Sequence, residues 1–111
     1  MGWMNNLSGK FIFVRPFTLI EKIKINRIEK IKDKNTRKIV MYSICVKRNI
    51  TNENVVKYIR FIKNIDIPNR ILCKSTIIDV YKSIKDSENI KDNLKSDLRI
   101  LLGCKGITFI Y

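Results

Sequence analysis

The sequence predicts a small α+β fold: a mixed domain with a central β-hairpin, short helices and a C-terminal strand. Three observations predict it. A chain of 111 residues suits one hydrophobic core and is too short for two. The run Lys38 to Val46 has the β-branched and aromatic content of a buried strand, and it faces an Ile-containing segment across the turn residues Asp33 to Thr36. Beyond them, Ser75 to Asp92 carries Ile77, Ile78, Tyr81 and Ile84 on one face and charges elsewhere, as an amphipathic helix does. Hydrophobic residues make up 45% of the chain, enough apolar material to offset chain entropy.

Taken in order, residues 1–10 read as a flexible leader in which Trp3 is the large apolar group, and 11–111 as a single domain. Lys10 to Val14 is rich in Phe, Ile and Val before Pro16, which marks a short edge strand. Thr18 and Glu21 stand in the spacing of a capping box, so a short helix follows, with Ile20 and Ile23 on one side. The hairpin then spans Arg27 to Lys32 and Arg37 to Lys47. Val55 to Lys63 fits both periods: Val55, Ile59 and Ile62 suit a helix, whereas Val56, Tyr58, Arg60 and Ile62 alternate as in a strand. Pro68 and Asn69 make a turn, and Arg70 to Lys74 continues as a strand. After the Ser75 helix, Leu94, Leu98, Leu101 and Leu102 mark another, stopped by Gly103; Gly106 opens the terminal strand Ile107 to Tyr111.

Lys and Arg number 23 against 10 Asp and Glu, a formal net charge of +13. Such a surplus favours a polyanion, because each phosphate neutralised releases condensed counterions. The abundance of Ile, Lys and Asn with no Ala or Gln is that of an AT-rich coding sequence, which enriches Lys by itself but does not hold the acids to 10. Cys45, Cys73 and Cys104 are an odd number, widely spaced, with no histidine in the chain. They read as small buried or half-buried thiols in a reducing compartment, not as zinc ligands or a disulfide framework. No apolar run approaches a membrane span, and Met1 to Lys10 has neither a long apolar stretch nor an Arg-rich amphipathic pattern. No targeting peptide is expected, and residence inside an organelle then implies synthesis there.

Catalysis is not expected. The commonest general base is missing, and neither paired carboxylates nor a nucleophile elbow stands out. Gly103-Cys104-Lys105-Gly106 has the GxxG form with which some RNA-binding domains approach a phosphate backbone, and equally the form of a tight connection. The basic residues speak as a set: Lys22, Lys24, Arg27, Lys30, Lys32 and Lys34 precede and form the first hairpin arm, and Lys57, Arg60 and Lys63 precede the Pro68 turn. Two such clusters on one domain can flank a groove, with Tyr42, Tyr58, Phe61 and Tyr81 either stacking on bases or filling the core.

Four ordered segments carry a family resemblance. Val14-Arg15-Pro16-Phe17-Thr18 with Leu19 to Ile25 is similar to a strand ending in Val-Pro-x-Ser before a short helix. The Arg27 to Lys47 hairpin is the second. Ile62, Lys63, Ile65, Pro68 and Arg70 match a Leu-Lys-Arg-Ile-Ser-Lys-Pro-Gly-x-Arg stretch, and Ile100 to Ile110 resembles Val-Leu-x-Gly-x-Gly-Ile-x-Ile-x. In this order they resemble the eighth small-subunit ribosomal protein of the bacterial and organellar type. The resemblance covers roughly residues 11–111. It departs from the family in lacking the first helix, in extra residues between Lys74 and Leu94, and in ending at Tyr111 before the Ser-Thr-Ser loop, as a truncated or split organellar version would.

The resemblance implies a strand at Val55 to Lys63 and two small α/β halves meeting near residues 50–55. It also implies a structural, non-enzymatic role in a small ribosomal subunit, mitochondrial or bacterial. Ribosomal RNA and neighbouring ribosomal proteins are then the partners, with no membrane, cofactor, metal or small-molecule substrate. Backbone contacts to RNA are expected from Arg15, Thr18, Lys22, Lys63, Arg70, Lys74 and Lys105. The competing reading is a winged-helix DNA-binding protein of a plasmid, phage or other AT-rich element, with Leu94 to Leu102 as recognition helix and the Asp33 to Thr36 hairpin as wing; a helix at Val55 to Lys63 favours it.

Overall fold

Short polar side chains set where the helices begin. In a computed structural model, which describes residues 18–107, Thr18 Oγ1 accepts from the Glu21 backbone N–H at 3.2 Å. Glu21 Oε1 in turn accepts from the Thr18 N–H at 2.8 Å, completing the capping box that opens α1, Leu19–Glu29. Asp33 caps α2, Lys34–Arg48, by accepting from the Thr36 N–H at 3.2 Å and from the Thr36 hydroxyl. Thr51 caps α3, Asn52–Asn64, through the Asn54 N–H at 3.2 Å. Two further helices, α4 (Ile71–Asp86) and α5 (Asp92–Cys104), follow turns without a side-chain cap.

The described residues therefore hold five helices and no strand, and the α+β expectation is corrected. Asp33 to Thr36 is not a hairpin turn: it is the cap and first turn of α2, and both expected arms are helical or turn. Val55 to Lys63 lies within α3, and Arg70 to Lys74 is the cap and first turn of α4. Ile107 is buried but not in a strand. The expected leader, the Lys10 to Val14 strand and residues 108–111 of the terminal strand lie outside the described residues.

Helix α5 ends in a Schellman motif. The Ile107 N–H donates to Leu102 O at 2.9 Å and the Gly106 N–H to Gly103 O at 3.1 Å, with Gly106 at φ 80°. Buried Ile107 and Leu102 supply the apolar contact that accompanies such an ending. The glycine that stops this helix is thus Gly106, while Gly103 is still helical.

Packing follows connection length. A three-residue link makes α2 and α3 an antiparallel hairpin, and α4 with α5 forms a second. The second lies on the first, α4 against α2 in the most extensive pairing and α5 against α3, while α1 packs on α2. Ile39, Val46, Val55, Tyr58, Ile62, Ile77, Val80, Ile84, Leu98 and Leu102 are buried in the shared core, and Ile25 and Ile28 join it from α1. At roughly 1.5–3 kcal/mol per fully buried aliphatic side chain, this layer is what overrides the strand propensity of its Ile and Val residues.

Polar ties fix the layers. Arg48 Nε donates to Glu21 Oε2 at 2.8 Å, joining α2 to the α1 capping box, with the two side chains only 5% and 18% exposed. Lys47 pairs with Asp79 across α2 and α4. Asn52 clamps the α4–α5 turn, its Nδ2 donating to Asn89 O at 3.3 Å and its Oδ1 accepting from the Lys91 N–H at 2.9 Å. In the core, Ser43 Oγ donates to Ile39 O at 2.7 Å and lies 3.3 Å from the Tyr58 hydroxyl. No helix among the described residues is long and apolar enough to cross a membrane.

Candidate nucleic-acid interface

Charge is not spread evenly along the helices. Residues 34–64, which hold α2, α3 and the link between them, contain eight Lys or Arg against one Asp or Glu. Residues 71–104, which hold the second hairpin, contain six against five. One layer of the molecule is thus strongly cationic and the layer behind it nearly balanced.

A groove is cut into the cationic layer. Its volume is about 650 Å³, and it is lined by Asn35, Lys38 and Tyr42 of α2, by Lys57, Arg60, Phe61 and Asn64 of α3, and by Ile65 and Asp66 beyond. No residue of α4 or α5 lines it. The helical repeat builds this wall: Lys38 and Tyr42 are four apart on α2, Lys57 and Phe61 four apart on α3, so each aromatic ring has a cation one turn before it on the same face. The two rings stack, with centroids 3.8 Å apart and planes 7° from parallel.

Lys57 lies 3.5 Å from Glu53, whereas Lys38 and Arg60 have no carboxylate partner among the described residues. Asn35 Nδ2 donates to Asp66 O at 3.0 Å and Asn64 Nδ2 to Arg60 O at 2.8 Å, so both amide nitrogens are engaged by backbone. A second hollow, lined by Ile31, Lys32, Asp33, Arg70, Ile71 and Leu72, lies at the same end of α2. There the Thr36 hydroxyl bonded to Asp33 holds its carboxyl below the ordinary carboxylate range, with nearby Arg70 adding a smaller pull in the same direction.

Searches against protein-family models, curated proteins and solved structures find no match to this chain.

The residues expected to contact RNA fall into three groups. Arg15 lies outside the described residues. Thr18 and exposed Lys22 are on α1, where the Thr18 hydroxyl serves the helix cap. The others surround the α3–α4 link: Lys63 in the last turn of α3, Arg70 just before α4, half-buried Lys74 in its first turn, and Lys105, whose Nζ donates to Ile65 O at 3.1 Å. Lys105 is the C-cap of α5, so the Gly103 to Gly106 segment is a helix ending.

Lys57, Arg60, Tyr42 and Phe61 belonged to the expected clusters, and the structure unites them; Tyr58 and Tyr81 are core. Sequence reading did not single out Lys38, Asn35, Asn64 or Asp66. The signal for Lys38 was its spacing to Tyr42, which has meaning only once α2 is read as a helix. The three thiols divide: Cys45 and Cys73 are buried and Cys104 is exposed. Burial pushes the Cys45 thiol up to about 12, against a smaller opposing effect of Arg48.

Proposed function

We propose that this chain is a non-enzymatic nucleic-acid-binding protein that neutralises phosphates with its α2–α3 layer and acts by position. The observation that carries the reading is the segregation of charge, eight basic residues against one acidic over residues 34–64, beside a hairpin with six against five. Genome composition enriches lysine everywhere; it gives no reason for one hairpin to carry a net +7 and the next a net +1. Among nucleic acids, the RNA of a ribonucleoprotein particle is the partner proposed, and a small ribosomal subunit of an organelle is the setting to which the ordered sequence motifs point. That narrower setting rests on a resemblance whose α/β halves this helical chain does not share, so the wider reading is the conclusion.

The winged-helix reading gains the helix that favours it at Val55 to Lys63 but loses its wing. That wing, Asp33 to Thr36, begins α2, and its recognition helix is α5, where Leu98 and Leu102 are buried in a nearly charge-balanced hairpin. The test is retention of labelled RNA by the full chain, measured by fluorescence anisotropy as salt is raised, together with co-sedimentation of the chain with ribosomal subunits. Salt-sensitive retention is expected; a chain that holds no RNA at moderate ionic strength refutes the proposal.

A further inference from the structure

We infer that the α2–α3 groove is a subsite for one unpaired nucleobase and its flanking phosphates, so that the polymer engaged is single-stranded. This rests on the nucleic-acid reading above and narrows it. A surface that only follows a duplex backbone gains nothing from an aromatic ring between its cations, because the base faces of a double helix are already stacked on each other. An unpaired base has a free face, and every base has one, so a ring in a cationic groove recognises single strands whatever their sequence.

Phe61 is placed for that task. It is half-buried and is the more exposed ring of its pair with Tyr42, which is 7% exposed. Tyr42 stacks on it, and fully buried Tyr58 lies tilted beside it at 6.3 Å and 40°. The ring is thus held in one orientation before any ligand arrives, and little side-chain freedom is lost when a base stacks.

Cations stand on both banks, Lys38 on α2 and Lys57 with Arg60 on α3, so a backbone crossing the rings meets positive charge on either side. With one N–H of each of Asn35 and Asn64 engaged by backbone, the polar rim offers the amide oxygens, a second N–H on each amide and the Asp66 carboxylate. The oxygens accept from base-edge N–H groups and the amide N–H groups donate to base-edge acceptors, both of which pairing hides in a duplex.

The test compares a fluorescein-labelled single strand of about twelve nucleotides with a duplex of the same length, on the full chain and on Phe61→Leu and Arg60→Gln. The single strand is expected to bind about tenfold more tightly than the duplex, Phe61→Leu to remove about that tenfold with no change in salt slope, and Arg60→Gln to weaken both ligands. A helical Phe61→Leu chain that binds the single strand undiminished overturns the inference. In the unmodified protein, a single strand carrying 5-iodouracil is expected to photocrosslink to Phe61 or Tyr42; crosslinks confined to other residues overturn it without reliance on a variant. Displacement of the strand by a mononucleotide at equal nucleotide concentration assigns the groove to free nucleotides and also overturns it. If strand and duplex are retained equally, the subsite falls alone; if neither is retained, the nucleic-acid reading falls with it.

Discussion

Removing the charges of Lys38 and Arg60 together tests whether the groove or only the overall charge holds the polymer. These two are chosen because neither has a carboxylate partner among the described residues, so each presents its full charge, whereas Lys57 shares Glu53 at 3.5 Å. Each lost phosphate contact to a single strand lowers the slope of log K against log salt by about 0.7, so Lys38→Gln with Arg60→Gln lowers it by about 1.4. At 0.1 M salt, with an unchanged affinity at 1 M, this is roughly a 25-fold loss. The control is Lys82→Gln with Lys91→Gln, two exposed positions at the balanced hairpin. Both pairs lower the net charge of +13 equally, by two. Anisotropy titrations at four or more salt concentrations give each slope. If the control pair lowers slope and affinity as much as the groove pair, the charge acts as a diffuse cloud and the assignment of the interface is wrong.

The remaining predictions concern stability and reactivity. Gly106→Ala forces a Cβ into the left-handed region at φ 80° and is expected to cost about 1–2 kcal/mol, whereas Gly103→Ala, helical and with nothing within 4 Å of the new methyl, stabilises by up to about 1 kcal/mol; thermal unfolding followed by circular dichroism separates them, and equal shifts refute the α5 ending. Arg48→Ala removes the charged hydrogen bond to Glu21 at the α1–α2 contact and is expected to cost about 1.5–3 kcal/mol in urea denaturation, with less than 1 kcal/mol contradicting it. In the folded protein a thiol reagent at pH 8 modifies Cys104 alone; fast labelling of Cys45 contradicts its burial. Stability is expected to fall as pH rises above 9. The unfolded chain releases the Cys45 proton from about its ordinary 9.0, while the folded chain keeps it to about 12, and Tyr58, also raised by burial, adds to the loss above 10. A flat stability profile from pH 8 to 11 contradicts this.

What the sequence disclosed depended on which signals were local. The Thr18 and Glu21 box opens α1 as expected, because both partners of that motif lie within one turn. The apolar faces at Ile77, Tyr81 and Ile84 and at Leu98 and Leu102 were legible as helices, each having a single buried side. Helix α2 was not legible. It packs against α1, α3 and α4, so Ile39, Met41, Tyr42, Cys45 and Val46 are all buried and leave no clean stripe. A helix buried on most sides, rich in β-branched residues, has the composition of a strand, and packing overrules propensity. The contrary signs were its 15-residue length, Asp33 at the cap, and Lys47 and Arg48 in the last turn. The groove followed α2 into obscurity, since Lys38 and Tyr42 share a face only when four residues make about one turn.

Because the first hairpin carries a net +7 and the second a net +1, the two described layers form an electrical dipole. Near a polyanion such a body turns before it touches, arriving the same way round each time. The side left outward carries little net repulsion toward a neighbour, so copies or other proteins can settle against it without competing for the polymer.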